Sequence, residues 1–127
     1  MSGLPLVLVV EDEFLLAADI EEALTQGGFA TESFFSGEDA LTSFMEPTGN
    51  HKALVTDVRL GGNVDGWAVA KRIRQKEPSF PVVYVTGATE EEWIAQGVPD
   101  SILVRKPFTS AQIVTALSKL INVDPPT

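Results

Sequence analysis

Short apolar runs alternate with amphipathic stretches along the chain. Five runs are rich in Val, Leu, Ile or Phe and have the length of strands, whereas the stretches between them repeat apolar residues at helical spacing. The predicted strands are residues 6–10, 29–34, 53–56, 81–85 and 102–104. The predicted helices cover about residues 13–26, 36–44, 65–76, 89–96 and 109–122. Strict alternation of this kind predicts a parallel sheet with helices on both faces.

Three helices begin with side chains that cap a helix N-terminus. A Ser or Thr is followed three residues later by an Asp, Glu or Gln, so the two side chains can bond backbone N–H groups of the first turn. The pairs are Ser36 with Asp39, Thr89 with Glu92, and Thr109 with Gln112. We interpret Asp65-Gly66 structurally as well, as a turn that leads into the third helix.

The residues that follow the strands indicate function, because ligands of open parallel sheets bind outside the carboxyl ends of the strands. Glu11 and Asp12 follow the first strand, Asp57 the third, Thr86 the fourth, and Lys106 with Pro107 the fifth. Three carboxylates therefore converge on one edge of the sheet. At close range, each would raise the pKa of the others unless a cation were present.

The chemistry of this set is that of phosphoryl transfer. Carboxylate oxygens with room for water suit Mg²⁺. Lys106 adds a positive charge that can contact a phosphoryl oxygen, and Thr86 adds a hydroxyl donor. An aspartate can itself be the nucleophile and carry the phosphoryl group as an acyl phosphate. Positioning and charge neutralisation supply most of the catalysis in such reactions.

Composition narrows the classes of function. The 127 residues are enough for one domain. Nine Lys and Arg against 18 Asp and Glu give a net charge of -9, which argues against binding nucleic acid or an anionic membrane. The absence of Cys and the single His argue against zinc and His-rich metal sites. No targeting segment or membrane span is visible, so we expect a cytoplasmic protein.

The strand-end residues resemble the receiver domain of two-component response regulators, in particular single-domain members similar to chemotaxis regulators. The matching motifs are Val9-Val10-Glu11-Asp12, Asp57, Asp65-Gly66, Thr86-Gly87-Ala88 and Lys106-Pro107-Phe108. The resemblance implies a flavodoxin-like (βα)5 fold, an α/β doubly wound five-stranded parallel sheet with strand order 2-1-3-4-5. It also implies a receiver domain over residues 1–122, followed by a C-terminal tail over residues 123–127.

The resemblance implies a role for each acidic residue. Asp57 would accept the phosphoryl group from a phosphohistidine of a sensor histidine kinase or a phosphotransfer protein. Asp12 and Asp57 would bind Mg²⁺ directly, together with the backbone carbonyl of Arg59. Glu11 would contact the ion through water. Slow self-dephosphorylation is expected, but not turnover of external substrates, so the chain is not expected to be an enzyme.

The resemblance also implies a switch, from which this chain departs at one position. Thr86 would hydrogen-bond the phosphoryl group, and Lys106 would pair with it. The Lys106–Pro107 peptide bond would be cis, which aims the lysine at the site. The family usually has an aromatic residue three positions before the lysine that moves inward on activation. Here that position is Leu103.

A second departure is the loop after Asp57. It is one residue longer than usual before Asp65-Gly66 and places Arg59 beside the acceptor, where its charge would alter dephosphorylation or the choice of donor. We expect the signal to leave through a protein partner on the surface of the fourth helix, fifth strand and fifth helix. We expect a monomer or weak dimer.

Two other classes of function remain open. The first is a phosphorylation-independent protein-interaction module with the same fold, which Leu103 slightly favours. The second is a Mg²⁺-dependent phosphohydrolase, which would need another acid to protonate the leaving group. Arg59 stands two residues after Asp57, where such an acid would be expected.

Two further features are given structural interpretations. His51 is expected in a loop, exposed to solvent. Four of the nine basic residues lie on the third predicted helix and are interpreted as a solvated face instead of a DNA contact: Lys71, Arg72, Arg74 and Lys76.

Overall fold

The computed structural model describes residues 3–121, which form five strands and five helices in strict alternation. The strands are β1 (Leu6–Val10), β2 (Ala30–Phe34), β3 (His51–Thr56), β4 (Val82–Thr86) and β5 (Ile102–Arg105). The helices are α1 (Phe14–Gln26), α2 (Gly37–Phe44), α3 (Gly66–Lys76), α4 (Glu90–Gln96) and α5 (Ser110–Ile121). Every predicted element is present. The predicted helix end at Asn122 and the predicted tail at residues 123–127 lie outside the described residues.

The sheet has the strand order β2-β1-β3-β4-β5, and all neighbouring strands are parallel. This confirms the predicted doubly wound fold. The chain leaves β1 toward the edge strand β2 and then returns to β3 on the other side of β1. Because the connections diverge there, a crevice forms outside the carboxyl ends of β1 and β3.

Each face of the sheet is covered by a hydrophobic core. Alternate strand residues such as Leu8 and Leu54 pack with α2 and α3, whereas Val9 and Val55 pack with α1 and α5. Burial on both faces explains why the strands are nearly continuous apolar runs. α4 differs from the other helices because it has no fully buried residue, and its Ile94 is 72% exposed.

The predicted capping side chains form their bonds. Ser36 accepts from the third N–H group of α2 at 3.1 Å. Thr89 and Glu92 each accept from the backbone N–H of the other at 3.1 Å. Thr109 and Gln112 form the same reciprocal pair before α5, at 2.8 and 3.3 Å. These bonds satisfy donors that a helix N-terminus leaves unpaired.

The prediction for His51 was wrong. This residue begins β3, and its side chain is only 2% exposed. Its Nε2 lies 2.7 Å from Oε1 of Glu32 on β2, and Ser43 Oγ donates to the same oxygen at 3.1 Å. The ring stacks on Phe44, with 6.2 Å between centroids. A partly buried polar contact therefore joins β3 to the edge strand β2 across β1.

Replacing His51 with Ala is expected to lower the free energy of unfolding by about 2 kcal/mol, because a buried ring is lost and Glu32 loses one of its two partners. Urea unfolding at neutral pH measures the change. Lys52→Ala is the control, since this neighbour on β3 is exposed and its replacement should change stability by no more than about 0.5 kcal/mol. Equal stability of the two variants would contradict the partly buried contact.

Candidate functional site

Three carboxylates meet at the crevice where the strand order reverses. Glu11 and Asp12 follow β1, and Asp57 follows the neighbouring strand β3. Each residue offers one carboxylate oxygen, and these oxygens all lie within 4.8 Å of one another. Glu11 and Asp57 are buried, whereas Asp12 is exposed. The structure thus brings together the three acids that the sequence placed at one edge of the sheet.

Lys106 inserts a positive charge between two of these acids. Its Nζ donates to Asp57 Oδ2 at 2.8 Å and to Glu11 Oε1 at 3.2 Å. Lys106 lies just beyond β5, and its side chain reaches past β4. Its backbone N–H donates to the carbonyl of Thr86, the last residue of β4, at 3.0 Å. The Lys106–Pro107 peptide bond is cis, as the resemblance implied.

Burial and charge shift the pKa values of this cluster. Burial raises the pKa of Glu11 above its ordinary value of 4.5; the nearby Asp57 charge adds to this effect, and the Glu13 N–H opposes it. For Lys106, burial alone would lower the pKa, but the hydrogen bond to Asp57 and the charges of both acids raise it above its ordinary value of 10.5. Lys106 therefore stays charged at neutral pH, and ionisation of Glu11 is less favourable in the folded protein than in water.

Asp57 is fixed by the backbone around it. Its N–H donates to the Val10 carbonyl at 2.9 Å, and its Oδ1 accepts from the Val58 N–H at 2.6 Å. The loop then returns to the residue after Asp57, because the Gly66 N–H donates to the Val58 carbonyl at 2.8 Å. A Cβ atom on Gly66 would overlap the Asp57 carbonyl oxygen. Asp65-Gly66 is therefore structural as interpreted, and it keeps Asp57 in place.

The two predicted switch positions lie on neighbouring strands. Thr86 is buried at the end of β4, and its Oγ1 accepts from the Ala88 N–H at 3.3 Å. Leu103 on β5 is half-buried and packs against the core. Its register partner Tyr84 is fully buried, with its ring 4.7 Å from that of Trp67. Tyr84 is thus a core side chain, and the roles of Thr86 and Leu103 in switching stay predictions.

The side chain of Arg59 is directed toward α4. Its side chain is 77% exposed, and Nη2 lies 3.9 Å from Oε1 of Glu92, the residue that helps to cap α4. Its charge is thus shared with a carboxylate outside the acid cluster. Ion binding by the Arg59 backbone carbonyl stays a prediction.

Sequence reasoning missed two features beside the acids. Glu38, in the first turn of α2, accepts from the Asn63 N–H at 3.0 Å and so contacts the loop that carries Arg59. Phe14 and Phe35, 70% and 49% exposed, form an aromatic pair with 6.0 Å between centroids at the start of α1. From the sequence alone, these two aromatic residues look like core residues. Only the structure shows that they lie at the surface and contact each other.

Comparison with known proteins agrees with this geometry. A family model described as "Response regulator receiver domain" matches residues 7–118. A response regulator receiver protein from Sinorhizobium medicae is 40% identical, with a TM-score of 0.89 over 94% of this chain and 95% of that one. A response regulator receiver protein of Anaeromyxobacter is 36% identical over 111 residues, which are 87% of this chain and 43% of that protein.

A more distant structure shares the fold. The receiver domain of a sensor histidine kinase from Pseudomonas aeruginosa, crystallised with a magnesium ion coordinated in its active-site cleft, is 23% identical. Its TM-score is 0.78 over 95% of this chain and 99% of that one. The chain spans 25% and 43% of the length of two curated relatives that it matches. Within residues 3–121, no helix has both the length and the apolar character needed to cross a membrane.

Replacing Glu11 with Gln is expected to change the pH dependence of stability. Because the pKa of Glu11 in the folded protein lies above its ordinary value of 4.5, the group stabilises the fold fully below pH 4.5. This contribution is lost as the pH rises through the folded-state pKa, and Gln does not titrate. Urea unfolding in EDTA should therefore shift in favour of E11Q, relative to the unchanged protein, as the pH rises from 4.5 to neutrality.

Glu46→Gln controls for the loss of one acid, since Glu46 is exposed and follows α2 at the opposite end of the sheet. A stability difference between E11Q and the unchanged protein that stays constant over this pH range would contradict the burial of an ionised Glu11.

Proposed function

Because the chain belongs to the response regulator receiver domain family, we propose that it is a phosphoacceptor of a two-component system, phosphorylated on Asp57 in a Mg²⁺-dependent reaction. The proposed receiver spans residues 1–122. The observation that carries the proposal is the position of Asp57, which lies beside Glu11 and Asp12 and bonds Lys106 at 2.8 Å.

The acid cluster has the donor set that Mg²⁺ requires. Three carboxylates with oxygens within 4.8 Å supply hard ligands, and the exposure of Asp12 leaves one side open to water. Asp12, Asp57 and the Arg59 carbonyl would hold the ion directly, with Glu11 contacting it through water. The ion would neutralise charge on the acids and on a phosphoryl group. The magnesium ion of the Pseudomonas aeruginosa receiver supports this choice of metal.

The reaction is a transfer of a phosphoryl group between two side chains. A carboxylate oxygen of Asp57 attacks the phosphorus of a phosphohistidine on the sensor kinase or phosphotransfer protein. The new P–O bond forms as the P–N bond breaks, and the imidazole nitrogen keeps the electron pair. The Val58 N–H, 2.6 Å from Oδ1, holds the carboxylate while it reacts. Lys106 is close enough to Asp57 to pair with a transferred phosphoryl oxygen.

The surface beside the acids suits a protein donor. Phe14, Leu15 and Phe35 are 70%, 77% and 49% exposed, and α1 begins two residues after Asp12. Exposed apolar residues that lie together often mark a contact surface. A kinase or phosphotransfer domain that packs on this patch would bring its histidine to Asp57.

The structure offers a physical route for output through α4. The Thr86 hydroxyl accepts from the Ala88 N–H, one residue before the cap of α4. If this hydroxyl moved to donate to a phosphoryl oxygen, its bond to Ala88 would change as well. α4 has no fully buried residue, so a small displacement disturbs little packing. The downstream protein would then read the surface of α4, β5 and α5, by a shift between two conformations.

A second candidate is an interaction module that binds its partner without phosphorylation. The half-buried Leu103 favours it, because a branched aliphatic side chain stands at the position of the usual aromatic switch. This candidate predicts equal binding of the partner by the phosphorylated and the unmodified protein.

The test of the proposed function is the intact mass of the protein after incubation with acetyl phosphate. We expect one phosphoryl adduct in the presence of Mg²⁺ and none in EDTA, because the like charges of donor and acceptor repel unless the ion is bound. The Asp57→Asn variant should form no adduct. Asp19→Asn, at an exposed position on α1, is the matched control and should be labelled normally.

Labelling that persists in the Asp57→Asn variant would contradict the assignment of the acceptor. Absence of any adduct under conditions that label another receiver domain would favour the phosphorylation-independent module.

A further inference from the structure

The loop between β3 and α3 is fixed at its base by a backbone hydrogen bond, and its tip is rich in glycine. The Gly66 N–H bonds the Val58 carbonyl at 2.8 Å, so residues 59–65 project from a fixed base. The tip contains Gly61 and Gly62, two adjacent residues with wide conformational freedom. The position of the tip therefore depends on the contacts that its backbone makes with other elements.

Glu38 provides one of these contacts from outside the acid cluster. Its Oε2 accepts from the Asn63 N–H at 3.0 Å. The same carboxylate occupies the place of a side chain on Gly62, since a Cβ atom there would lie 2.9 Å from Oε2. Gly62 has a φ angle of 88°, which a residue with a side chain rarely adopts.

The start of α2 contacts the loop at a second place besides the bond between Glu38 and Asn63. A Cβ atom on Gly37 would lie 2.8 Å from the Val64 carbonyl oxygen, so the helix and the loop touch through backbone. The Asn63 N–H is the main reason why the pKa of Glu38 lies below its ordinary value, and the charge of Arg72 acts in the same direction. Glu38 is therefore an ionised acceptor at neutral pH.

The other end of the tip contacts the acid cluster. The Gly61 N–H donates to Asp12 Oδ2 at 3.1 Å. Only Gly62 separates Gly61 from Asn63, so one short backbone segment joins the carboxylate of Glu38 to the carboxylate of Asp12. Asp12 and Glu38 thus accept hydrogen bonds from two neighbouring amides of the same loop.

We infer that Glu38 is a positioning residue for the metal site: it fixes the β3–α3 loop so that Gly61 orients Asp12 and Arg59 presents its carbonyl. This inference rests on the proposed function, because it requires Mg²⁺ to bind the acids. Groups that orient metal ligands commonly change metal affinity by about 10-fold or more when they are removed. Because the bond between Glu38 and Asn63 is exposed, we expect removal of Glu38 to change metal affinity by an amount at the lower end of that range.

The experiment is a calorimetric titration of Mg²⁺ into the unphosphorylated full chain and three variants. Glu38→Ala removes both the acceptor and the charge, and we expect it to weaken Mg²⁺ binding about 10-fold. Glu38→Gln removes the charge but keeps an acceptor for the Asn63 N–H. Asp39→Asn removes one charge from the adjacent exposed position of α2. The last two variants should bind Mg²⁺ alike, within about 3-fold of the unchanged protein, since only screened charge is lost.

Equal weakening in all three variants would overturn the inference, because it would show that only charge near the acids matters. Unchanged affinity in Glu38→Ala would overturn it as well. If the unchanged protein does not bind Mg²⁺, the metal claim of the proposed function fails instead.

Amide hydrogen exchange measured by NMR tests the contacts of Glu38 and Asp12 with the loop in the absence of metal. In Glu38→Ala, exchange of the Asn63 and Gly61 amides should both accelerate, whereas the amides of the central strands should keep their protection and report an intact fold. Glu38→Gln should retain most of the protection at both amides. Loss of protection at Asn63 with no change at Gly61 would break the proposed link to Asp12 and overturn the inference, whatever the outcome of the titration.

Discussion

The gathering of three carboxylates at the edge of a buried sheet imposes an electrostatic constraint on the residues around them. Glu11 is 0% exposed and Asp57 is 7% exposed, so neither carboxylate is fully solvated. Repulsion between them is offset by the ammonium of Lys106, which bonds both. A divalent cation bound by Asp12 and Asp57 would extend the same compensation to the exposed side of the cluster. The reactivity that we propose for Asp57 follows from this balance of charge.

The sheet topology and the backbone packing make that balance possible. The connections that diverge at β1 bring residues from positions 11, 57 and 106 to one crevice. Gly66 then allows the loop to return against the Asp57 carbonyl, where no side chain would fit. The same use of small residues recurs at Gly37 and Gly62, where α2 touches the loop tip. The acids are therefore positioned mainly by backbone contacts.

The sequence predicted the parts of the site that are attached directly to strand ends. Asp57 and Lys106 follow apolar runs, and a parallel sheet carries such residues to one edge whatever the details of packing. The contact of His51 with Glu32 could not be predicted in this way, because a single histidine before an apolar run looks like a turn residue. The contacts of Glu38 with Asn63 and of Arg59 with Glu92 could not be predicted for a related reason: the partners lie on other segments, and only the course of the loop brings them within reach.

In the proposed function, the acid cluster holds one divalent ion next to Asp57. The most direct measurement is an anomalous difference map from crystals grown with Mn²⁺, an ion that also prefers oxygen ligands and can be located by its scattering. We expect one peak at bonding distance from the carboxylates of Asp12 and Asp57, close to the Arg59 carbonyl, that is absent from crystals of an Asp12→Asn variant. A map without a peak at these residues, or with an ion bound only elsewhere on the acidic surface, would contradict it.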